Sequence, residues 1–529
     1  MATLLRNGRI YSPWARDASA LLIDGESVAW LGDDESAASM AADEVIDLRG
    51  ALVTPGFVDA HFHATATGLA LAGLDLSGCA TLAEALAALE RTARAGGGRP
   101  VLGSGWDETN WPERRVPTAA ELDRASYGGV VYLARTDAHS AIASSALMAS
   151  VPGLAAMEGY TPTGQLTKAA HHAARAVALA SITAGRRDEL QAIALSHAAQ
   201  LGVVSVHEMA GPEISSAEDL AALLALSRGD DGLPAVFGYW GELHGVATAR
   251  ELGAVGAGGD LFCDGSIGSH TAGMTQPYAD ADTSGYLRFD TAELAEHVVA
   301  CTEAGLQAGF HAIGDAATEQ VVAAMALAIE RLGRRVATAG HRIEHAELLN
   351  DVPGLAASGL TASVQPAFDA SWGGPSGMYA QRLGIDRAAR LNPLAALAAA
   401  GVPLALGSDS PVTVIDPWGA LRAAAYPQFR EHALSPRAAL NAHCRGGWRA
   451  VGADGDGSGT LAPGSPASYA IFAAGPLGVD APDDRLAQWS TDERSGVPGL
   501  PDLAPGAELP RCLRTVLRGR QLFDSGELG

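Results

Sequence analysis

Short apolar, β-branched runs recur along the middle of this chain, with Ala- and Leu-rich helical stretches between them. They are Phe57–His63, Val203–Glu208, Ala235–Trp240, Asp260–Cys263, Gln307–Ile313, Arg342–Ala346, Thr361–Gln365 and Pro403–Ser408. That is about eight strands, the number a closed parallel (β/α)8 barrel requires. From the second run onward they lie about 20 to 45 residues apart, a spacing suited to βα units. Helical stretches such as Leu394–Ala400 do not favour a helical bundle, because the runs before the polar clusters are too short and too β-branched.

The gap between the first and second runs is far longer, roughly 140 residues, so a separate unit is inserted there. It covers 74–187 and carries its own strand signals at Val101–Gly103 and Val130–Leu133. The N-terminal stretch alternates short strand-like runs with turns such as Asn7-Gly8 and Asp24-Gly25, too thin to bury a core alone. Similar pieces return at Ser468–Phe472 and Thr515–Leu517. Both ends are therefore expected to complete one β-sandwich from 1–54 and 459–529, around a barrel of 55–73 and 188–458. Residues Gly475–Leu509, rich in Pro, Gly and Asp, are expected to form a long surface loop. The expected class is α/β: a distorted (β/α)8 TIM barrel, a composite β-sandwich from both termini, and a large insert after strand 1.

Composition narrows the partners. The 529-residue chain is 48% hydrophobic and 18% charged, with a formal net charge of −24. So acidic a surface repels phosphate backbones, which argues against nucleic acid. No apolar run suits a bilayer span, and Met1–Gly8 lacks the apolar core of a signal peptide. The cysteines (Cys79, Cys263, Cys301, Cys444 and Cys512) are scattered and show no CxxC pairing, so a reduced cytoplasmic compartment is expected.

The chemistry sits at the ends of the apolar runs. His61 and His63 lie two apart on a strand and share a face, forming a chelating pair for a divalent transition metal. His311, His345 and Asp409 end three later strands. In a closed barrel those C-terminal ends converge on one mouth, where barrel enzymes keep their active sites. Four imidazoles and a carboxylate suit zinc-like or iron-like ions. His341 shares a face with His345, and periodicity does not choose between them; the later position, nearer the mouth, is taken. Taken singly, His311 also suits a satisfied interior histidine and Asp409 a helix N-cap before Ser410-Pro411.

At this point the chain resembles the amidohydrolase superfamily, and within it family 3, which includes YtcJ-like proteins and N-substituted formamide deformylases. The resemblance rests on Thr54–His63, Gly105–Glu108, Arg135–His139, Asp264-Gly265-Ser266, His311–Asp315, His341–His345, Gln365-Pro366, Gly407–Val412 and Gly459–Gly464. It implies a distorted barrel with a composite sandwich, one or two metals, and hydrolysis of a C–N bond. It implies His61, His63, His311, His345 and Asp409 as metal ligands, and it is compatible with a homodimer.

Two positions depart from that pattern. Related sequences usually carry a lysine just before the Asp-Gly-Ser, and a carboxylated lysine on that strand bridges two metals in binuclear members; here Asp260 stands there. Aspartate is shorter than a lysine carbamate and is not expected to reach the same point without backbone movement. Asp260 is left as either a metal-facing or a pocket residue, and one zinc-like ion is expected rather than two. Lys168 replaces a common glutamate within the insert and is expected at the surface.

The expected activity is hydrolysis of an amide, formamide or N-acyl bond in a small molecule by metal-activated water. Asp409 would move the proton, and His345, if not a ligand, would hydrogen-bond the oxyanion. Deamination of a cyclic amidine or heterocycle is the second expectation, and a non-catalytic metal-binding relative the third. Asp264, Gln365, His207 and His270 are further pocket candidates, with Trp106, Arg135 and His139 contributed by the insert as it closes over the mouth.

Overall fold

The computed structural model describes residues 1–108, 111–135, 140–229, 232–478 and 499–528. Its largest sheet has eight strands in unbroken chain order, all parallel. They are β1 (Phe57–Phe62), β2 (Val203–Ala210), β3 (Ala235–Trp240), β4 (Gly256–Ala257), β5 (Gln307–Ala312), β6 (Arg342–His345), β7 (Thr361–Val364) and β8 (Leu404–Leu406). A parallel bridge from Phe62 to Ser410 joins the end of β1 to the segment after β8 and closes the barrel. Most of these strands are buried on both faces, which explains why their sequences read as continuous apolar runs rather than as alternation.

The fourth strand differs from expectation. It is the two-residue Gly256–Ala257, and Asp260–Cys263 follows it as irregular chain. The cause is Gly258-Gly259, whose φ values of 151° and 82° end the strand. A single parallel bridge between Phe262 and His311 keeps the irregular segment against β5.

Helices between the strands carry the caps their sequences supply. Thr291–Ala304 begins with a capping box in which Asp290 accepts from the Glu293 backbone while the Glu293 side chain accepts from the Asp290 backbone. The helix buries Leu294, Val298 and Cys301.

Two smaller sheets complete this unit. One has four strands in the order Ser27–Gly32, Ala20–Asp24, Ala2–Arg6, Glu44–Asp47. The other has five, in the order Arg9–Ile10, Leu52–Pro55, Tyr469–Ala473, Arg511–Leu517, Arg520–Asp524. One core joins them, with Leu5, Leu21 and Val53 from the N-terminal part beside Tyr469, Ile471, Leu513 and Val516 from the C-terminal part. Of the expected surface loop, Leu477–Gly478 pairs with Leu500–Pro501, and 479–498 lie outside the described residues. Phe472 carries the five-stranded sheet onto the barrel, with its ring 5.9 Å from Phe57 and 5.4 Å from Trp418.

The chain divides into two compact units, Met1–His63 with Leu195–Gly529, and Ala64–Ala194. The second unit begins earlier and ends later than the 74–187 stretch expected from strand spacing. Its flanking helices explain this. Gly68 lies so close to Leu190 that a Cβ would stand 2.1 Å from the Leu190 carbonyl oxygen, and Gln191 donates to Thr65 at 3.1 Å. Within this unit a five-stranded sheet runs Gln165–Thr167, Ser140–Ala143, Val131–Arg135, Val101–Trp106, Leu74–Asp75, with an apolar cluster on either side. No helix among the described residues is long and apolar enough to cross a membrane.

Phe472 is fully buried, so truncation leaves a cavity between sheet and barrel. Phe472→Ala should destabilise the protein by about 3–5 kcal/mol, read from the midpoint of urea unfolding.

Candidate metal centre

The alternation of β1 puts Asp59, His61 and His63 on one side of the strand. Asp59 is the mooring. Its Oδ1 accepts from the Ser408 backbone N–H at 2.8 Å and its Oδ2 from the Ser408 hydroxyl at 2.6 Å. The next residue, Asp409, donates its backbone N–H to His61 O at 2.9 Å. The end of β8 is thereby locked to the end of β1, and the Asp409 carboxylate reaches 3.1 Å from His63 Nε2 and 3.5 Å from His61 Nε2.

Each imidazole is aimed by a partner on its far nitrogen, an arrangement typical of metal-ligating histidines. His61 Nδ1 donates to Glu344 Oε2 at 2.9 Å, and His63 Nδ1 donates to Met209 O at 2.9 Å. His345 Nδ1 donates to Gln365 Oε1 at 2.9 Å, and His311 Nε2 donates to Gly265 O at 3.2 Å. The inward nitrogens are thus Nε2 of His61, His63 and His345, and Nδ1 of His311.

Those four nitrogens surround Asp260. Its Oδ2 lies 3.3 Å from both His61 Nε2 and His63 Nε2. Its Oδ1 lies 3.3 Å from His311 Nδ1 and 3.6 Å from His345 Nε2. An aspartate is short for this reach, and the backbone itself runs inward to supply it. A Cβ at Gly258 would stand 2.1 Å from Gly309 N, and one at Gly259 2.5 Å from Met209 Sδ. With no side chain at either position, the chain crosses close to β5 and β2 and delivers Asp260 to the axis.

Three overlapping groups can each hold a cation: His61, His345 and Asp409; His61, His63 and Asp260; and Asp260, His311 and His345. Buried imidazole nitrogens with carboxylate oxygens fit a zinc-like divalent ion. The electrostatics agree with that fit. Burial opposes ionisation of Asp260, but the charge of His61 and hydrogen bonding from His311 hold its pKa well below the usual range. Burial likewise opposes protonation of His63, but hydrogen bonds to Asp260 and Asp409 push its pKa up to about 10. The two carboxylates therefore hold a negative field where a cation is favoured.

Under this centre lies a pair that the sequence alone did not single out. Arg342 and Glu344 both point into the barrel from β6 and are fully buried. The Arg342 guanidinium binds both Glu344 oxygens, donates to Ala60 O at 2.6 Å and to His207 Nδ1 at 3.1 Å, and lies 4.6 Å over the Tyr239 ring. Burial would raise the Glu344 pKa, but the charge of Arg342 brings it down to about 2. The signal was present in the alternation Arg342-Ile343-Glu344, which puts two ionisable residues on one face of a buried strand.

The choice between His341 and His345 is made by the chain turning at the strand end. His345 and Ala346 have φ values of 71° and 47°, and His345 swings to the centre. His341 Nε2 instead pairs with the Thr302 hydroxyl at 2.8 Å, while its Nδ1 accepts from the Ala308 N–H at 2.8 Å. Other candidates have different employments. Asp264 accepts from the backbones of Gly273, Ile313 and Gly314, so both its oxygens hold loops. Gln365 orients His345, and His270 pairs with Asp280 at 2.8 Å near the surface. In the second unit, Trp106 is buried and donates to Leu133 O at 2.9 Å. Arg135 pairs there with Asp107 and Glu108. His139 lies outside the described residues. Lys168, the single lysine of the chain, is exposed and pairs with Glu158, as expected of a surface residue.

Imidazoles and carboxylates gathered at the strand ends of a parallel barrel define a metal-dependent hydrolase. The chain belongs to the amidohydrolase family, whose sequence pattern matches residues 44–523. It is 26% identical over 479 residues to the putative amidohydrolase YtcJ of Bacillus subtilis, covering 83% of this chain and 87% of that protein. It is 34% identical to an N-substituted formamide deformylase of Arthrobacter pascens over 136 residues, 25% of each chain. Among solved structures, an uncharacterized metal-dependent hydrolase of Pyrococcus horikoshii matches with a TM-score of 0.74 and 27% identity, covering 91% of this chain and 98% of that one.

Gly258→Ala should move Asp260 off the axis and strain the chain by at least about 1–3 kcal/mol. A lower melting temperature together with reduced bound metal is the expected result, checked by calorimetry and elemental analysis.

Proposed function

We propose that this protein hydrolyses a C–N bond of a small amide or formamide, at a centre whose residues would hold two divalent ions with Asp260 contributing to both positions. The observation that carries the proposal is the division of the Asp260 carboxylate, one oxygen beside His61 and His63, the other beside His311 and His345. One position would be held by His61, His63, Asp260 and Asp409, the other by Asp260, His311 and His345. The expectation of a single ion rested on the short reach of aspartate, and the Gly258-Gly259 crossing removes that reason.

Bound divalent ions supply a Lewis acid for the carbonyl and lower the pKa of water. The residues then divide the remaining work. Asp409 would receive the proton from the attacking water and return it to the departing nitrogen. The water oxygen bonds to the acyl carbon, the C–N bond breaks, and a carboxylic acid and an amine leave. Glu344 and Gln365 keep His61 and His345 in one tautomer throughout. The amide and formamide assignment draws on the similarity to the N-substituted formamide deformylase of Arthrobacter pascens.

Elemental analysis of purified protein should find two ions per chain, and Asp260→Ala should lower that count; one tightly bound ion in both proteins would sink the shared-carboxylate arrangement. A panel of amides and formamides should release amine and carboxylate, whereas ammonia from heterocycles alone would favour deamination. Asp409→Asn should lower kcat by about a hundred- to ten-thousandfold, as expected for loss of a proton-transferring group. Turnover near the wild-type rate would remove that role.

A further inference from the structure

At the end of the barrel away from the metal centre, a cleft of about 390 Å3 opens between the helix Pro436–His443 and the base of the β-sandwich. All of its lining residues belong to the larger compact unit. Pro55, in its wall, precedes β1, and the Cys444 thiol donates to the Pro55 carbonyl at 3.6 Å. The cleft therefore lies a strand's length, roughly 20 Å, from His63.

The Gly459–Gly464 stretch, which takes no part in the metal centre, builds the far wall. Gly459 has a φ of 79°, and a Cβ there would stand 2.5 Å from the Cα of Arg445, so only glycine lets this turn approach the helical wall. The Ser12 hydroxyl donates to Leu461 O at 2.5 Å and ties the segment carrying Tyr11 to the same turn.

The chemistry of the lining is unlike that of the rest of the chain. There are 60 acidic residues against 36 basic ones, yet no lining residue is acidic. Arg437 is the single charged residue of the lining; it is exposed, and no carboxylate pairs with it among the described residues. Its guanidinium stays ionised and offers a planar fork of donors that matches a carboxylate. Asn441 lies one helical turn further on the same face, and Tyr11 and Thr460 add hydroxyls from the opposite wall. Buried Pro55 and Leu440 give the cleft an apolar part. One guanidinium balances one negative charge, and a dianion would leave a further charge unbalanced in a chain of net charge −24.

We propose that this cleft is a second binding site, for a small organic monoanion: a carboxylate held by Arg437, with a short apolar tail against Pro55 and Leu440. The site is independent of the reaction at the metal centre.

The test titrates hexanoate into the full-length protein by calorimetry, with hexanol and inorganic phosphate as comparison probes, and locates binding by hydrogen exchange. Hexanoate should bind saturably and at least about tenfold more tightly than either comparison probe. It should protect the backbone at 435–441 and 457–461. Arg437→Gln should weaken hexanoate by at least about tenfold at unchanged metal content and melting temperature. Arg437→Lys, which keeps the charge and loses the fork, should weaken it severalfold and serves as the second variant should Arg437→Gln fail to fold. Hexanoate affinity that survives in a folded Arg437→Gln variant, or protection confined to the metal-centre segments 61–63 and 408–410, overturns the site. Phosphate bound as tightly as hexanoate overturns the carboxylate assignment.

Discussion

The fully buried Arg342–Glu344 pair is the interaction on which the metal centre depends. Taking two charges out of water costs several kcal/mol each, and their attraction offsets this only when the remaining donors and acceptors are satisfied. Here they are used in several directions. Arg342 binds Glu344, the Ala60 carbonyl and His207, and rests on the Tyr239 ring; Glu344 accepts from His61. Strands β1, β2, β3 and β6 are tied at one level of the barrel, and the output is a His61 imidazole with a fixed tautomer and direction. Without Arg342, Glu344 would be a buried carboxylate with only His61 for a partner, and His61 would lose its orientation.

Above that level, the centre combines two devices that act on the backbone. Asp59 accepts twice from Ser408 and so fixes where β8 delivers Asp409. Gly258-Gly259 does the opposite on the far side: it ends β4 after two residues and lets the chain approach Gly309 and Met209 closely enough for a short side chain to reach the axis. Together these place two carboxylates among four imidazoles. The second device also explains how a side chain as short as aspartate reaches the axis. Chain path makes up for side-chain length.

Much of this was legible residue by residue. His61, His63, His311, His345 and Asp409 stood out because each closes an apolar run, and strand ends in a parallel barrel meet at one rim. The barrel itself followed from the spacing of those runs. The fourth strand was misplaced because Asp260–Cys263 has strand-like composition, while the two glycines before it break the backbone. Arg342 and Glu344 were passed over because charged residues within a strand ordinarily face solvent, and only closure of the barrel turns that face inward. Strand signals mark the sheet of the insert, whereas the limits of the second compact unit lie in two helices that pack against each other at Gly68 and Leu190.

By itself, the sequence determined the class of architecture and the types of polar residue gathered at the barrel rim, because strand spacing and the polar residues that end each run are local properties of the chain. The tertiary structure alone decided which groups meet. His341 and His345 are equivalent in a period-two pattern and were separated only by the turn of the chain at His345. Asp260 looked too short until the path through Gly258-Gly259 was known. Reach and orientation are relations between distant segments, and no local pattern encodes them.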